Sequence, residues 1–438
     1  MWGGSFHAAL IAMAAALGGL LFGYDTSVIS GAILFVREQF KLSSVETELA
    51  VSIVLAGAAV GAAVSGYLGD RFGRKPVLVG DAALFALFAV ATGMANSFRL
   101  FLIARFVIGV AVGTTSMITP LYIAELAPPK VRGALVTLNQ LAIVIGIVVA
   151  YGVDYWFAPS GNWRAMFTSA VAPAFILLLS MVFLPESPRW LADNGYENKA
   201  WQVLSRVESA QDARRHVAEL RDVAADKVKF SDLFSIRFRR PVVVGVGLAI
   251  FQQITGVNTV IYYTPTILQM AGFKTAATAI LATALVGAVN VVATIISLFL
   301  LDRVGRRLLL LISITGMGLS LVHLGYAFGV TEVSLTAIVL DVIAYLASFA
   351  LGLGPVFWLL ISEIYPTTVR GQAMSVASVT IWISDWFVTM TFLSLVNLLG
   401  ARVLFWLYAG ACAAALFFCA KLVPETKNRT LEEIEASW

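Results

Sequence analysis

Long apolar runs alternate along the chain with short polar interruptions. Leu49–Gly69, Gly133–Val153, Ala165–Pro185 and Val342–Ser362 are free of charge over 21 residues each, and Pro241–Phe273, Thr275–Leu301 and Leu308–Thr331 are longer. About 20 mostly apolar residues suffice for a helix to cross a bilayer. With the segments interrupted by single charges added, the pattern predicts twelve spanning helices, centred near residues 18, 58, 86, 112, 143, 174, 253, 288, 319, 350, 385 and 412. Residues 185–240 break the pattern, holding 20 of the chain's Asp, Glu, Lys and Arg. Within them Trp201, Leu204 and Val207, and again Val217, Leu220 and Val223, fall at helical spacing among charged neighbours. That spacing predicts short amphipathic helices lying under a membrane domain. The expected organisation is a six-helix half (1–184), a helical linker (185–240) and a second six-helix half with a short tail (241–438).

Composition fixes the class. Hydrophobic residues make up 59% of the 438 residues and charged ones 13%, about half the roughly 25% of a typical soluble chain. The mean hydropathy is +0.87. So few charges cannot cover a soluble fold, and the same figures exclude disorder, coiled coil and collagen. This is an integral membrane protein. Met1–Ala9 carries no Lys or Arg, so the first apolar segment is expected to be a membrane helix rather than a cleaved signal. Cys412 and Cys419, seven apart in one apolar stretch, are expected to be packing residues, since a zinc site usually takes four ligands.

The basic residues sort by side. Of 30 Lys and Arg, 23 fall in the connections after even-numbered segments or in the C-terminal tail. Six lie on the opposite side (Arg37, Lys41, Arg99, Arg164, Lys274, Arg402), and Arg105 lies within a segment. The positive-inside rule predicts that both termini are cytoplasmic. The net charge of +4 therefore reflects topology, and no nucleic-acid partner is expected.

The chain also repeats itself. Asp70-Arg71-Phe72-Gly73-Arg74 recurs as Asp302-Arg303-Val304-Gly305-Arg306, and Glu125 with Arg132 recurs as Glu363 with Arg370. Pro185-Glu186 recurs as Pro424-Glu425. Three pairs in one order, at offsets of 232 to 239 residues, indicate duplicated halves. Such repeats place a substrate site near the midplane between the halves, which points to a carrier. The repeated acids and arginines lie at cytoplasmic helix ends. They are expected to form ion pairs that latch the halves closed there and break when that side opens. Topology alone would explain the arginines but not the acids.

These residues resemble those of a known family, the sugar porters of the major facilitator superfamily. Its marks here are Gly18-Gly19-Leu20-Leu21-Phe22-Gly23-Tyr24-Asp25, Gly69-Asp70-Arg71-Phe72-Gly73-Arg74-Lys75, Pro120-Leu121-Tyr122-Ile123-Ala124-Glu125 and Pro185-Glu186-Ser187-Pro188-Arg189-Trp190. Gln252-Gln253 with Gly256 and Asn258, Gly354-Pro355 with Trp358, and Pro424-Glu425-Thr426-Lys427 complete the set. The likeness covers nearly the whole chain and is nearest to bacterial xylose/proton and related pentose or hexose symporters. Facilitative glucose transporters of animals are somewhat further away. The resemblance implies an all-α membrane protein with twelve transmembrane helices in two pseudo-symmetric halves.

A sugar is neutral and covered in hydroxyls, so its site must return hydrogen bonds in both senses. Gln and Asn amides carry a donor and an acceptor on one side chain. Gln140 lies in the fifth segment, Gln252, Gln253 and Asn258 in the seventh and Asn290 in the eighth. On the residues alone, sugar contact and interhelical hydrogen bonding explain each amide equally well. The resemblance implies sugar contact, and it implies the same for Trp358, whose ring face would pack on sugar C–H groups. Phe22, Tyr262 and Trp382 are secondary candidates, and Gly354-Pro355 is expected to break its helix locally. Asp25 and Arg105 each lie inside an apolar segment, which by default marks function. The resemblance pairs them and implies that Asp25 carries a coupling proton, where animal facilitators have an uncharged residue. A static buried salt bridge is the alternative.

Some positions depart from the family. Ile381 stands where an amide is frequent, and Asp385, four residues on and on the same helix face, where Asn is common. Asp385 is thus a candidate second titrating group. Asp81 has no evident role, and Asp341 is expected near a solvated helix end. The expectation is a proton-coupled importer of a pentose or hexose in a bacterial inner membrane, acting as a monomer. No catalysis, metal or cofactor besides the proton is expected. A uniporter is the nearest alternative. A sugar sensor would ordinarily have a longer signalling tail than the 14 residues after Pro424, and an enzyme would need a carboxylate or metal cluster that His7, His216 and His323 are too scattered to build.

Overall fold

The computed structural model describes residues 2–128, 131–207, 209–223, 233, 235, 238–330, 334–366, 369–427, 429 and 433–434. The side chains of two expected site residues, Arg132 and Asp302, lie outside the described set. The described residues form helices, with no strand among them.

Twelve helical crossings are long and apolar enough to span a membrane, and each contains one of the twelve expected centres. The first half comprises α1 (Trp2–Phe40), α2 (Ser44–Phe72), α3 (Arg74–Gly93), α4 (Phe98–Leu126), α5 (Arg132–Phe157) and a sixth crossing made of α6 (Trp163–Thr168) and α7 (Val171–Phe183). The polar insert carries α8 (Pro188–Asp193), α9 (Glu197–Leu204) and α10 (Ala210–Val223). The second half begins with a broken crossing, α11 (Arg239–Ile254) and α12 (Val257–Met270), followed by α13 (Ala276–Val304) and α14 (Arg306–Ala327). Another broken crossing, α15 (Leu335–Leu351) and α16 (Leu353–Ile364), precedes α17 (Arg370–Leu399) and α18 (Ala401–Leu422).

Local chemistry sets the helix starts. Ser43 and Glu46 form a reciprocal capping box at α2, and Ser97, Thr275 and Ser334 cap α4, α13 and α15 through their hydroxyls. Within lipid, helices pack through small residues because burial of apolar surface gives no preference for protein over tails. Gly57 and Gly61 of α2 accordingly lie against the backbone of Phe106, Gly109 and Val110 on α4, and Gly23 of α1 against Ile143 of α5.

The two breaks are built differently. At Gly256 the φ angle is +86°, a left-handed conformation that costs glycine little, and Thr255 C=O receives the Tyr345 hydroxyl at 2.8 Å. The second break falls at Gly352, two residues before the expected Gly354-Pro355 pair, which instead sits in the first turn of α16. Three of its freed backbone groups are met by side chains of other helices. Ser297 donates to Leu351 C=O at 2.9 Å, Gln252 to Leu353 C=O at 3.1 Å, and Leu353 N–H donates to Ser313 at 3.0 Å.

The halves touch unevenly. Among the described residues, hydrogen bonds between them run from Tyr151 to Ile261 C=O, from Ser394 to Glu48, from Asn397 to Ser44 and from Ser52 to Met390. The last three contacts lie toward the face opposite the Arg- and Lys-rich connections, hereafter the basic face. A cavity of about 320 Å³ lined by Arg37, Thr47, Thr266 and Asn397 sits over that closed side.

Candidate functional site

The amides of the second half converge where its two broken helices meet α17. Asn258 Nδ2 donates to Gln253 Oε1 at 3.0 Å and to Asp385 Oδ2 at 2.7 Å. Tyr262 donates its hydroxyl to the same Asp385 oxygen at 3.2 Å, and Thr389 donates to Oδ1 at 3.1 Å. Gln252 is not free toward this group, because its amide holds the broken tenth crossing. Asn290 is buried on α13, with Oδ1 unpartnered. Gln140 and Trp358 are half-buried on α5 and α16. Phe22 of α1 meets Trp382 of α17 across the halves, with ring centroids 5.3 Å apart. Of the nine expected sugar contacts, Gln253, Asn258 and Tyr262 are joined in one network, while Gln252 has a structural partner.

Asp25 and Arg105 form a second centre inside the first half. Arg105 Nη1 donates to Asp25 Oδ1 at 2.7 Å and Nη2 to the Asp25 carbonyl at 3.3 Å. Both side chains are buried, and the guanidinium lies 5.1 Å from the Phe167 ring centroid. Asp25 Oδ2 has no hydrogen-bond partner.

The duplicated charges occupy matching positions at the basic face. Arg74 grips Glu125 with Nε and Nη2, each at 3.1 Å, and also reaches Asp70 at 3.2 Å and Gly69 C=O at 2.9 Å. In the second half Arg306 donates to Glu363 at 3.2 Å and to Leu301 C=O at 3.2 Å. Ser187 donates to Glu125 as Thr426 donates to Glu363. Glu186 accepts from the backbone N–H groups of Arg74 and Lys75, and Glu425 from those of Arg306 and Arg307, so each acid caps the positive end of a helix.

Among the described residues these ion pairs run within each half rather than between the halves. Arg74 and Arg306 begin α3 and α14, so each guanidinium folds back under its own half and meets the acid ending α4 or α16. Their pairs fasten helices within a half. Arg71 and Arg303 point outward, exposed, and Arg370 donates to its neighbour Tyr365 C=O at 3.2 Å. Described ties between the halves lie on the opposite face, from Ser394 to Glu48 and from Asn397 to Ser44.

Three acids have environments the sequence did not disclose. Asp154, fully buried on α5, accepts from the Gly31 N–H of α1 at 3.1 Å, and its Oδ1 is unpartnered. Asp81 accepts from the Thr115 hydroxyl at 3.0 Å. Asp341 is not merely solvated, since it pairs with His323 of α14 at 2.7 Å.

A family model described as "Sugar (and other) transporter" matches residues 11–438. The chain belongs to this family. The D-xylose transporter of Levilactobacillus brevis is 41% identical over 432 residues, covering 96% of this chain and 94% of that relative. The arabinose-proton symporter of Escherichia coli (strain K12) is 39% identical over 434 residues, 97% of this chain and 92% of that relative. The solved structure of the proton:xylose symporter XylE of E. coli, a major facilitator superfamily protein bound to 6-bromo-6-deoxy-D-glucose, is similar with a TM-score of 0.84 at 34% identity, covering 99% of both chains. This sugar transporter therefore has the major facilitator fold, and it is a multi-pass membrane protein.

Proposed function

We propose that this sugar transporter is a monosaccharide/proton symporter, carrying a pentose or hexose with a proton across the cell's inner membrane by alternating access. The observation that carries the reading is the buried Asp25–Arg105 pair in otherwise apolar helices, in a chain whose relatives are named a D-xylose transporter and arabinose-proton and galactose-proton symporters. Arg105 occupies Oδ1 and leaves Oδ2 open, so the coupling proton binds at Asp25 Oδ2. Once Asp25 is neutral, Arg105 retains the Asp25 carbonyl and the Phe167 ring as partners. The charge pair is thereby dissolved without leaving the cation bare, which frees α1 and α4 to shift.

Gln140, Gln252, Gln253, Asn258 and Asn290 supply hydrogen bonds to the sugar, and Trp358, with Phe22, Tyr262 and Trp382, supplies ring faces. The basic face is cytoplasmic with both termini on that side, the working unit is a monomer, and the proton is the only co-substrate. The chain performs no chemistry on the sugar.

Radiolabelled uptake into proteoliposomes tests this, with xylose, glucose, galactose and arabinose, with and without an inward proton gradient. Uphill accumulation in the wild type that Asp25→Asn abolishes while sparing exchange is the expected result. A wild type that only equilibrates the sugar makes this a uniporter, with Asp25–Arg105 a static salt bridge.

A further inference from the structure

Asp385 is 1% exposed in the interior of a membrane helix. Its three partners, Asn258, Tyr262 and Thr389, are neutral donors, and together they use both of its oxygens. That is the arrangement of an ionised carboxylate, which only accepts. A buried charge with neutral partners persists only while its donors stay in place. One of them, Asn258, is shared. Asn258 has two N–H groups, one given to Asp385 and one to Gln253, and Tyr262 has one O–H, given to Asp385. A sugar hydroxyl that takes a hydrogen bond from Asn258 or Tyr262 withdraws it from the carboxylate or from Gln253.

We propose that Asp385 is a second proton-binding site, whose proton uptake is linked to sugar binding because sugar and carboxylate compete for the donors Asn258 and Tyr262. This rests on the symporter reading and deepens it. A hydronium ion gives its proton to Oδ2: one of its O–H bonds breaks, leaving water, and one O–H bond forms on the carboxyl. The neutral acid then donates that O–H to the bound sugar. Asp25 is differently placed, since its described side-chain hydrogen bond goes to Arg105 and to none of the sugar-site amides.

Charged neighbours on the helices around α17 are engaged elsewhere. Glu48 of α2 holds Ser394, Arg105 of α4 holds Asp25, and Glu363 of α16 holds Arg306 at the basic face. Tyr263 of α12 donates to Thr389 C=O, and Tyr408 of α18 lies against Gly256. Tyr262 is the titratable group bonded to Asp385.

The test is calorimetric sugar binding across pH, in two buffers of different ionisation enthalpy, with purified wild type, Asp25→Asn, Asp385→Asn and the double variant. D-xylose, L-arabinose, D-galactose and D-glucose are the probes. Each linked proton steepens affinity by up to about tenfold per pH unit. Asp385→Asn is expected to lose one proton of uptake and that steepness, while Asp25→Asn keeps them. Equal pH dependence in wild type and Asp385→Asn overturns the proposal. Uptake that ignores the proton gradient would sink the symporter reading, yet an Asp385-dependent slope would still support this site. If none of the four sugars binds, infrared difference spectra on acidification decide. A protonated-carboxyl C=O band lost in Asp385→Asn supports the site, and its absence from the wild type overturns it.

Discussion

Glu48 of α2 holds Ser394 of α17 with both carboxylate oxygens, receiving the backbone N–H at 2.6 Å and the hydroxyl at 2.7 Å. Glu48 is buried, and the contact joins the two halves on the face away from the basic connections. Hydrogen bonds to a charged group contribute about 1.5–3 kcal/mol each. Glu48→Ala is therefore expected to shift the balance between open faces by about tenfold or more toward opening on this side. Spin labels at the exposed positions Val45 and Leu398 would read the change as a larger, longer-distance population. An unchanged distance distribution would remove Glu48 from any gating role.

The duplicated clamps differ in burial, and their variants should differ with it. Arg74 and Glu125 have side chains 6% and 5% exposed, against 12% and 19% for Arg306 and Glu363. Removing one partner of a buried pair costs about 3–5 kcal/mol, because the other charge is left uncompensated. Arg74→Ala is expected to approach that range and Arg306→Ala to fall below it. Thermal unfolding in detergent gives the order, and equal losses would contradict it.

Glu186 and Glu425 make the same cap in opposite electrostatic settings. Burial holds Glu186 above the ordinary glutamate value of 4.5, although the backbone N–H groups of Ser187, Lys75 and Arg74 favour its charge. Glu425 is less enclosed. Burial works against its charge too, but the N–H groups of Lys427, Arg306, Arg307 and Thr426 carry it below 4.5. The folded chain thus binds the Glu186 proton more tightly than the unfolded one, and stability from this group rises as pH falls through its folded value. For Glu425 the contribution is present above 4.5 and lost as pH falls through its lower folded value. At pH 7, Glu425→Gln is expected to lose about 0.3–1 kcal/mol of helix-terminus stabilisation, while Glu186→Gln loses nothing or gains. Melting temperatures at pH 7 and at mildly acid pH separate the two.

Gly256 is a position where the seventh crossing has little freedom to change. A Cβ there would stand 2.6 Å from the Tyr408 ring, on a backbone whose φ is +86°. The left-handed conformation alone costs a side chain about 1–2 kcal/mol. Gly256→Ala is expected to destabilise by more than that. Gly410→Ala, in α18 with open space around it, is expected to stabilise by about 0.5–1 kcal/mol. Similar melting temperatures for the two variants would refute the strain.

The crossings were legible because hydrophobic length is a local property, and Asp25 and Arg105 stood out as charges that lipid would not tolerate. Asp154 escaped notice for the complementary reason. It borders the charge-free run ending at Val153 and reads as the start of a loop, whereas α5 continues to Phe157 and buries it. Glu48 hid beside Glu46, two acids at a helix start of which only the first takes part in the capping box. The repeated arginines and acids were visible, but a linear chain does not say which half supplies each partner. That depends on Arg74 and Arg306 folding back beneath their own helices. The break at Gly256 depends likewise on Tyr345, some ninety residues away in sequence.

The fastening of each half by its own residues also bears on how the molecule is made. The clamp on Glu125 needs Arg74 and Ser187, and Trp190 adds a hydrogen bond to Asp70 C=O at 2.9 Å. All of these have left the ribosome before α11 is synthesised. The first six crossings can therefore close as a finished body while the second six are still being translated. The polar insert then acts as a pause between two assembly events, and Glu425 and Thr426, which follow the last crossing, tie off the second body.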